Sequence, residues 1–243
     1  MDNLRGTRMK IFKDILKTLG FGLLAGFAIS LGGFASLCIN FGEANAIAKV
    51  LQAFIFTIGL FLICVLGFYL YTGKIGYILG AKKKFIIDLP IILVGNFAGA
   101  ILFGYVFYFL IKSGNMTAVE EALSKIVGTK TANAMTAEGF GNLFIKGILC
   151  GFCVFLAVYI YANAKNVGFK YLGLILPIMA FVMCGFEHCI ANVFYFSANN
   201  SWDPNAVLNV VYVTVGNSVG SIMLYGLFKL LKVEAKIWEN LTF

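Results

Sequence analysis

The sequence Gly-Leu-Leu-Ala-Gly-Phe at residues 22–27 recurs as Gly-Ile-Leu-Cys-Gly-Phe at residues 147–152, about half a chain later. A second motif, Gly-Asn-Phe-Ala-Gly at residues 95–99, returns as Gly-Asn-Ser-Val-Gly at residues 216–220, at nearly the same separation. Glycines four residues apart on an apolar helix let a second helix approach closely. The sequence therefore predicts two similar halves, each containing the same pair of close-packed helices.

The composition around these motifs is that of a membrane protein. Of the 243 residues, 60% are hydrophobic and 12% are charged, whereas soluble domains have about 25% charged residues. This excludes an ordinary soluble enzyme, a disordered protein and a secreted disulfide scaffold. Six apolar stretches are long enough to cross a bilayer as helices, at 19–41, 50–72, 85–111, 142–164, 172–196 and 206–228. Because three spans per half is an odd number, the second half should be inserted upside down relative to the first.

The basic residues predict the orientation. If the N-terminus is cytoplasmic, 14 of the 19 basic residues fall on the cytoplasmic side and the other side is balanced, as the positive-inside rule requires. We therefore expect a multi-pass plasma-membrane protein with both termini in the cytoplasm. The net charge of +8 then reflects topology, and it gives no reason to expect a nucleic-acid partner.

A single transmembrane domain is expected to occupy residues 1–243. Residues 1–18 predict a basic amphipathic helix on the cytoplasmic membrane surface. The two repeats follow at 19–111 and 142–228, joined by an extracytoplasmic connection at 112–141, and residues 229–243 form a cytoplasmic tail. Within the connection, a short amphipathic helix is expected from Ala118 to Ile126, and it could cap a vestibule.

The few polar residues inside the predicted spans indicate where a solute would bind. Helix-breaking and polar residues interrupt the second span near Thr72 and the fifth span near Gly185, and matched interruptions are the best sequence indication of a transport site. His188 is the only histidine, and we expect it at the pore or substrate. Glu187 should be a structural hydrogen-bonding anchor. Asn192 should donate a hydrogen bond, either to the substrate or to the broken backbone.

No catalytic group, metal ion or cofactor is expected. One histidine and one glutamate in the spans, without further ligands, cannot fill a metal coordination shell. One alternative is an intramembrane enzyme with Glu187 and His188 as acid and base. The sequence has no nucleophile motif for such an enzyme. The sequence therefore predicts a protein that is not an enzyme.

The run at residues 185–194, Gly-Phe-Glu-His-Cys-Ile-Ala-Asn-Val-Phe, closely resembles the signature of the formate/nitrite transporter family. Agreement at residues 70–73, 95–100 and 146–150 extends the resemblance over nearly the whole chain. It implies an aquaporin-like six-helix protomer in a homopentamer, with one pore per protomer for small monovalent anions of weak acids. The chain is also similar to the clostridial hydrosulfide-channel branch, which implies that hydrosulfide permeates, with formate and nitrite as further permeant anions.

The resemblance also assigns positions along the pore. It makes His188 the central pore histidine, Thr72 its hydrogen-bonding neighbour and Asn192 a pore-lining asparagine. The apolar constrictions would be formed on the outer side by Phe56 and Phe181, and on the inner side by Leu60 and Leu70.

One position departs from the family pattern. Members usually have a lysine twelve residues before the glycine that Gly147 matches, and that lysine helps to attract anions outside. Here the position is Met135, either a natural variant or an engineered substitution. The lysine that helps to attract anions in the family is therefore missing at this position, which puts strong anion recruitment in question.

The mechanism must move a small anion past two apolar constrictions. Transfer of a carboxylate-sized ion into a low-dielectric interior is prohibitive, so we expect the anion to be paired with imidazolium or protonated where it meets His188. Histidine suits either role, since its unperturbed pKa is about 6.5. Two other mechanisms stay open: a proton-coupled formate or nitrite carrier, and an aquaglyceroporin-like channel for neutral solutes, although paired Asn-Pro-Ala motifs are absent.

Overall fold

The computed structural model describes residues 2–39 and 45–233, so most of the predicted tail lies outside the described residues. The described chain consists of helices joined by turns. In chain order they are α1 (Asp2–Leu37), α2 (Ala46–Leu66), α3 (Tyr71–Lys74), α4 (Lys83–Ser113), α5 (Thr117–Thr131), α6 (Ala137–Asn163), α7 (Val167–Met183), α8 (Cys189–Ala198) and α9 (Pro204–Leu230), with one 3₁₀ turn (Ile75–Ile78) directly after α3.

Five of the described helices, α1, α2, α4, α6 and α9, are long and apolar enough to cross a membrane. The stretch predicted as the interrupted fifth span, residues 172–196, is divided between the shorter apolar helices α7 and α8, and the break lies at Gly185 as expected. The predicted surface helix at 1–18 is not a separate element, because α1 continues unbroken from Asp2 to Leu37. Isolated glycines at residues 20 and 22 cost too little to end a helix that contains no proline.

Helix α5 is longer than the predicted segment that ends at Ile126. It continues to Thr131 because its buried face, formed by Val119 and Leu123, is extended by Val127. The additional turn lies between the predicted helix end and the loop that precedes α6. It carries Lys130, which becomes important at the candidate site.

Two pairs of helices, α1 with α4 and α6 with α9, cross at glycines. A Cβ atom added to Gly95 of α4 would lie 2.7 Å from the carbonyl oxygen of Leu19 in α1. A Cβ atom added to Gly216 of α9 would lie 2.6 Å from the carbonyl oxygen of Phe144 in α6. Both distances are too short for real atoms, so glycine permits the contact of the two backbones. The repeated glycine motifs therefore mark the same kind of helix crossing in each half.

Two turns interrupt the helices: the α2–α3 turn (residues 67–70) and the α7–α8 turn (residues 184–188). Each contains a glycine in the left-handed region, Gly67 with φ 72° and Gly185 with φ 66°, where other residues are strained. A broken helix leaves backbone N–H and C=O groups without helical partners. Inside a membrane protein, those groups must be satisfied by other parts of the chain.

Asn96 of α4 satisfies the α2–α3 turn. Its Oδ1 accepts a hydrogen bond from the backbone N–H of Tyr71 at 2.8 Å. Its Nδ2 donates to the carbonyl oxygens of Tyr69 at 2.7 Å and of Gly22 in α1 at 2.8 Å. Asn96 is fully buried, so one side chain connects the turn, α4 and α1.

Asn217 of α9 satisfies the α7–α8 turn with the same three bonds. Its Oδ1 accepts from the N–H of Cys189 at 3.0 Å, and its Nδ2 donates to the carbonyl oxygens of Glu187 and of Gly147 in α6, both at 2.8 Å. The residue that precedes the following helix is Leu70 in one half and His188 in the other. These two N-cap residues occupy matching positions in the hydrogen-bond pattern.

Candidate functional site

Three cavities follow one another through shared lining residues. The Lys130 cavity, of about 370 Å³, has Lys130, Lys146 and Glu187 in its lining. The small cavity, of about 10 Å³, is lined by His188 and seven apolar side chains. The Lys74 cavity, of about 350 Å³, has Lys74 as its charged lining residue. A volume of about 10–15 Å³ holds one water molecule, so the row narrows to single-molecule width in the middle.

The walls between the cavities are apolar. Phe56 and Phe181 border both the Lys130 cavity and the small cavity, and their rings meet edge to face with centroids 5.6 Å apart. Leu70 borders both the small cavity and the Lys74 cavity. Leu60 lines only the small cavity of the three. The four residues that the family resemblance assigns to constrictions thus surround one small chamber.

His188 lies at the wall between the Lys130 cavity and the small cavity. As the N-cap of α8, its Nδ1 accepts a hydrogen bond from the N–H of Ala191 at 3.3 Å. Its Nε2 lies 3.0 Å from Oγ1 of Thr72. A neutral imidazole carries its proton on one nitrogen, and since Nδ1 is an acceptor, the proton is on Nε2. His188 therefore donates to Thr72 and is held as a neutral ring.

Glu187 forms a buried ion pair that the sequence did not predict. Lys130 Nζ lies 2.6 Å from Glu187 Oε2, and the two side chains are only 13% and 7% exposed. A buried carboxylate is stable when it is paired and hydrogen-bonded. A sequence signal does exist: Lys130 lies three residues after buried Val127, on the same face of α5. The sequence prediction ended this helix at Ile126, so it did not include Lys130 in α5.

Asn192 completes the polar group around Glu187. Its Nδ2 donates to Glu187 Oε2 and to Asn209 Oδ1, each at 2.7 Å. Asn209 Nδ2 in turn donates to the carbonyl oxygen of Lys130 at 2.9 Å. The donor group of Asn192 is thus engaged by two side chains and not by the broken backbone. Its Oδ1 is buried and has no hydrogen-bond partner.

Met135 does not leave the site without a cation. Its side chain is 62% exposed and is absent from the lining of the Lys130 cavity. Lys130, five residues earlier, already pairs with Glu187. Position 135 therefore lacks the family lysine, and the cations in the lining of the Lys130 cavity are Lys130 and Lys146.

The charges around the row favour anions. In the Lys130 cavity two lysines, Lys130 and Lys146, face one carboxylate, Glu187. Lys74 is the charged lining residue of the Lys74 cavity. Each wide cavity therefore carries a net positive charge, which raises the local concentration of anions.

Comparison with known proteins shows the fold and the family of the chain. A solved structure described as a pentameric formate channel with formate bound superposes with a TM-score of 0.76 at 24% identity, covering 90% of this chain and 98% of that one, so the fold is shared. A formate channel of Bacillus thuringiensis is 32% identical over 233 residues, covering 89% of this chain and 87% of that protein. The formate channel FocA of Haemophilus influenzae is 27% identical over 241 residues, covering 86% and 84%. The family model described as formate/nitrite transporter matches residues 4–231, and the chain is therefore a member of the formate/nitrite transporter family.

Proposed function

We propose that this protein is a membrane channel, not an enzyme, for small monovalent anions of weak acids: formate, nitrite and hydrosulfide. The observation that carries the proposal is the row of three cavities, in which two positively charged cavities of about 370 and 350 Å³ flank an apolar one of about 10 Å³. The wide cavities concentrate anions, and the small one admits only a solute of a few atoms. Formate leads the series, because two of the compared relatives are described as formate channels.

The architecture we propose is six spans arranged as two inverted three-helix repeats, with α2–α3 and α7–α8 as the interrupted spans. The support is the recurrence of the same three hydrogen bonds around Asn96 and Asn217. By the positive-inside rule, both termini lie on the cytoplasmic side of the plasma membrane. The Lys130 cavity then opens on the outer side. The pentameric formate channel of similar fold supports assembly as a homopentamer.

Charge neutralisation by protonation fits the site better than pairing with imidazolium. A second proton on His188 would have to go to Nδ1, which accepts from the N–H of Ala191. Two donors would then face each other at the start of α8. The anion instead takes up a proton from the external water on entering the apolar region, where the low dielectric favours its neutral form. A solute in the small cavity takes the Nε2 hydrogen bond that His188 otherwise gives to Thr72.

The first prediction concerns formate flux into proteoliposomes across a pH series. Inward flux should rise as external pH falls, because more of the solute is present as neutral acid. Replacement of His188 with alanine should lower the flux about tenfold, the factor that corresponds to one lost hydrogen bond of about 1.4 kcal/mol. The measurement is the rate of internal acidification, with glycerol swelling as the test for a neutral-solute channel.

The matched variant is His188→Ser, because serine is a good helix N-cap but is too short to replace the imidazole donor. It should fold like the wild type and have the low flux of His188→Ala. Wild-type flux with an unchanged pH profile in both variants would contradict the role of His188. Turnover in the range of a carrier, instead of the much higher rate of a channel, would favour the proton-coupled alternative.

A second prediction concerns Met135→Lys. If Lys130 already pairs with Glu187, a lysine at the exposed position 135 should change formate flux by less than about twofold, because an exposed charge is screened by salt over about 10 Å. Flux at low external formate is the sensitive measurement. A tenfold gain would mean that position 135 is a recruitment site and that Lys130 does not supply it.

A further inference from the structure

The unpartnered oxygen of Asn192 has a fixed identity. Nitrogen and oxygen of an amide side chain are assigned from the surrounding hydrogen bonds, and here a chain of bonds fixes them. The carbonyl oxygen of Lys130 requires a donor, so Asn209 presents Nδ2 to it and Oδ1 to Asn192. Asn192 must then present Nδ2 to Asn209, and Glu187 Oε2 accepts from the same Nδ2 at 2.7 Å. Only Oδ1 remains.

This oxygen is unusual because it is buried, polar and unpaired. Asn192 is fully buried and lines the Lys130 cavity. Its Oδ1 is the one buried side-chain N or O atom without a hydrogen-bond partner in residues 2–39 and 45–233. An unsatisfied buried acceptor carries a free-energy cost, because it has lost its hydrogen bonds to water without gaining others. A partner that arrives in the cavity would recover that cost.

An acceptor and a cation select different forms of a weak acid. The ammonium groups of Lys130 and Lys146 attract the anion from solution, whereas a carbonyl oxygen repels an anion and accepts only from an N–H, O–H or S–H group. Formic acid and nitrous acid carry such a hydrogen and their anions do not, whereas hydrosulfide keeps an S–H group as the anion, so the discrimination applies to formate and nitrite. We propose that Asn192 Oδ1 is a selectivity group that accepts a hydrogen bond from the neutral, protonated solute beside His188.

The proposal rests on the proposed channel function and adds a specificity-determining residue to it. Lys130 and Asn192 act on successive forms of the same solute: the cation gathers the anion, and the acceptor holds the acid once the proton has been added. Because Asn192 is fully buried, the donor reaches Oδ1 only after a small movement of the cavity wall. Water is the competing donor, and it would occupy the same position when no solute is present.

The test uses formamide, which has the size of formic acid, donates N–H hydrogens and does not ionise near neutral pH. Formate flux into proteoliposomes is measured with increasing formamide, and separately with dimethylformamide, which has no N–H donor. Osmolarity is matched on both sides. In the wild type, formamide should inhibit at a concentration about tenfold lower than dimethylformamide.

Three variants separate the acceptor from the rest of the polar group. Asn192→Leu removes the acceptor, so the tenfold preference for formamide should be lost. Asn192→Asp retains a carboxyl oxygen at the position of Oδ1 and, with a proton on its other oxygen to donate to Glu187, should keep the preference. Asn209→Leu disturbs the same bonds but leaves Asn192 Oδ1 free, so it should keep the preference too. If Asn192 had only a structural role, its replacement with aspartate would weaken the preference for formamide as much as its replacement with leucine.

Each outcome decides one statement. Absence of formate flux from the wild type would overturn the proposed channel function. Formate flux that formamide and dimethylformamide inhibit equally, or an Asn192→Leu variant that keeps the formamide preference, would overturn only the acceptor role of Asn192. If Asn192→Leu does not fold, the wild-type comparison of the two amides still decides the proposal.

Discussion

Replacement of Lys130 with methionine is expected to lower the free energy of unfolding by about 3–5 kcal/mol, because it leaves the carboxylate of Glu187 buried and unpaired. Glu187 is only 7% exposed and its Oε2 lies 2.6 Å from Lys130 Nζ, so the lysine is its main source of charge compensation. Formate flux should fall as well, since the cavity loses a cation. Thermal unfolding in detergent and proteoliposome flux measure the two effects.

The matched control is Lys125→Met, which removes an exposed lysine from the same helix and should be nearly neutral. The double variant Lys130→Met with Glu187→Gln should recover most of the stability, because a neutral amide can still accept from Asn192 and needs no cation. If Lys130→Met is as stable as Lys125→Met, the ion pair contributes nothing to the free energy of unfolding.

Alanine at the glycine crossings should have the second large effect. A Cβ atom on Gly26 of α1 would overlap the carbonyl oxygen of Asn96 and lie 2.8 Å from the N of Ala100. A Cβ atom on Gly151 of α6 would overlap the carbonyl oxygen of Asn217. These contacts are with backbone, which cannot move aside as a side chain can, so each substitution should cost about 3 kcal/mol or more. Thermal unfolding in detergent is the measurement.

Each of these glycines has a control on its own helix. Added Cβ atoms at Gly20 of α1 and Gly141 of α6 meet nothing within 4 Å. Alanine there should be neutral or should stabilise the helix by up to about 1 kcal/mol. The same loss of stability at Gly20 as at Gly26 would mean that helix propensity, and not the close crossing, explains the effect. Alanine at Gly26 or Gly151 would also displace Asn96 or Asn217, respectively, because these asparagines lie at the crossings.

The family and the broad class could be predicted from sequence, because both depend on local features. Apolar stretches of sufficient length predict membrane helices, and the run at 185–194 is specific enough to indicate the family that the comparison with the family model then showed. The division of residues 172–196 into two helices also had a local signal in Gly185. The end of α5 had none strong enough, because Thr- and Ala-rich residues after Ile126 are compatible with helix or loop.

The site was predicted less completely than the fold. The sequence singled out His188 and Thr72, and the structure brings them within 3.0 Å. It assigned Asn192 the role of donor, and Nδ2 does donate, to Glu187 and to Asn209. The sequence did not predict that Oδ1 would be unpaired, because an amide has both functions and only its neighbours decide which one is left free.

The sequence by itself determined that the chain is a membrane protein of this family, that its two halves share glycine and asparagine motifs, and that polar groups in the spans are few. These properties follow from composition and spacing along one segment at a time. Only the tertiary structure decided that Lys130, not position 135, meets Glu187, and that two charged cavities flank a small apolar one. The reason is physical: Lys130 and Glu187 are 57 positions apart, and packing of whole helices determines which distant side chains meet.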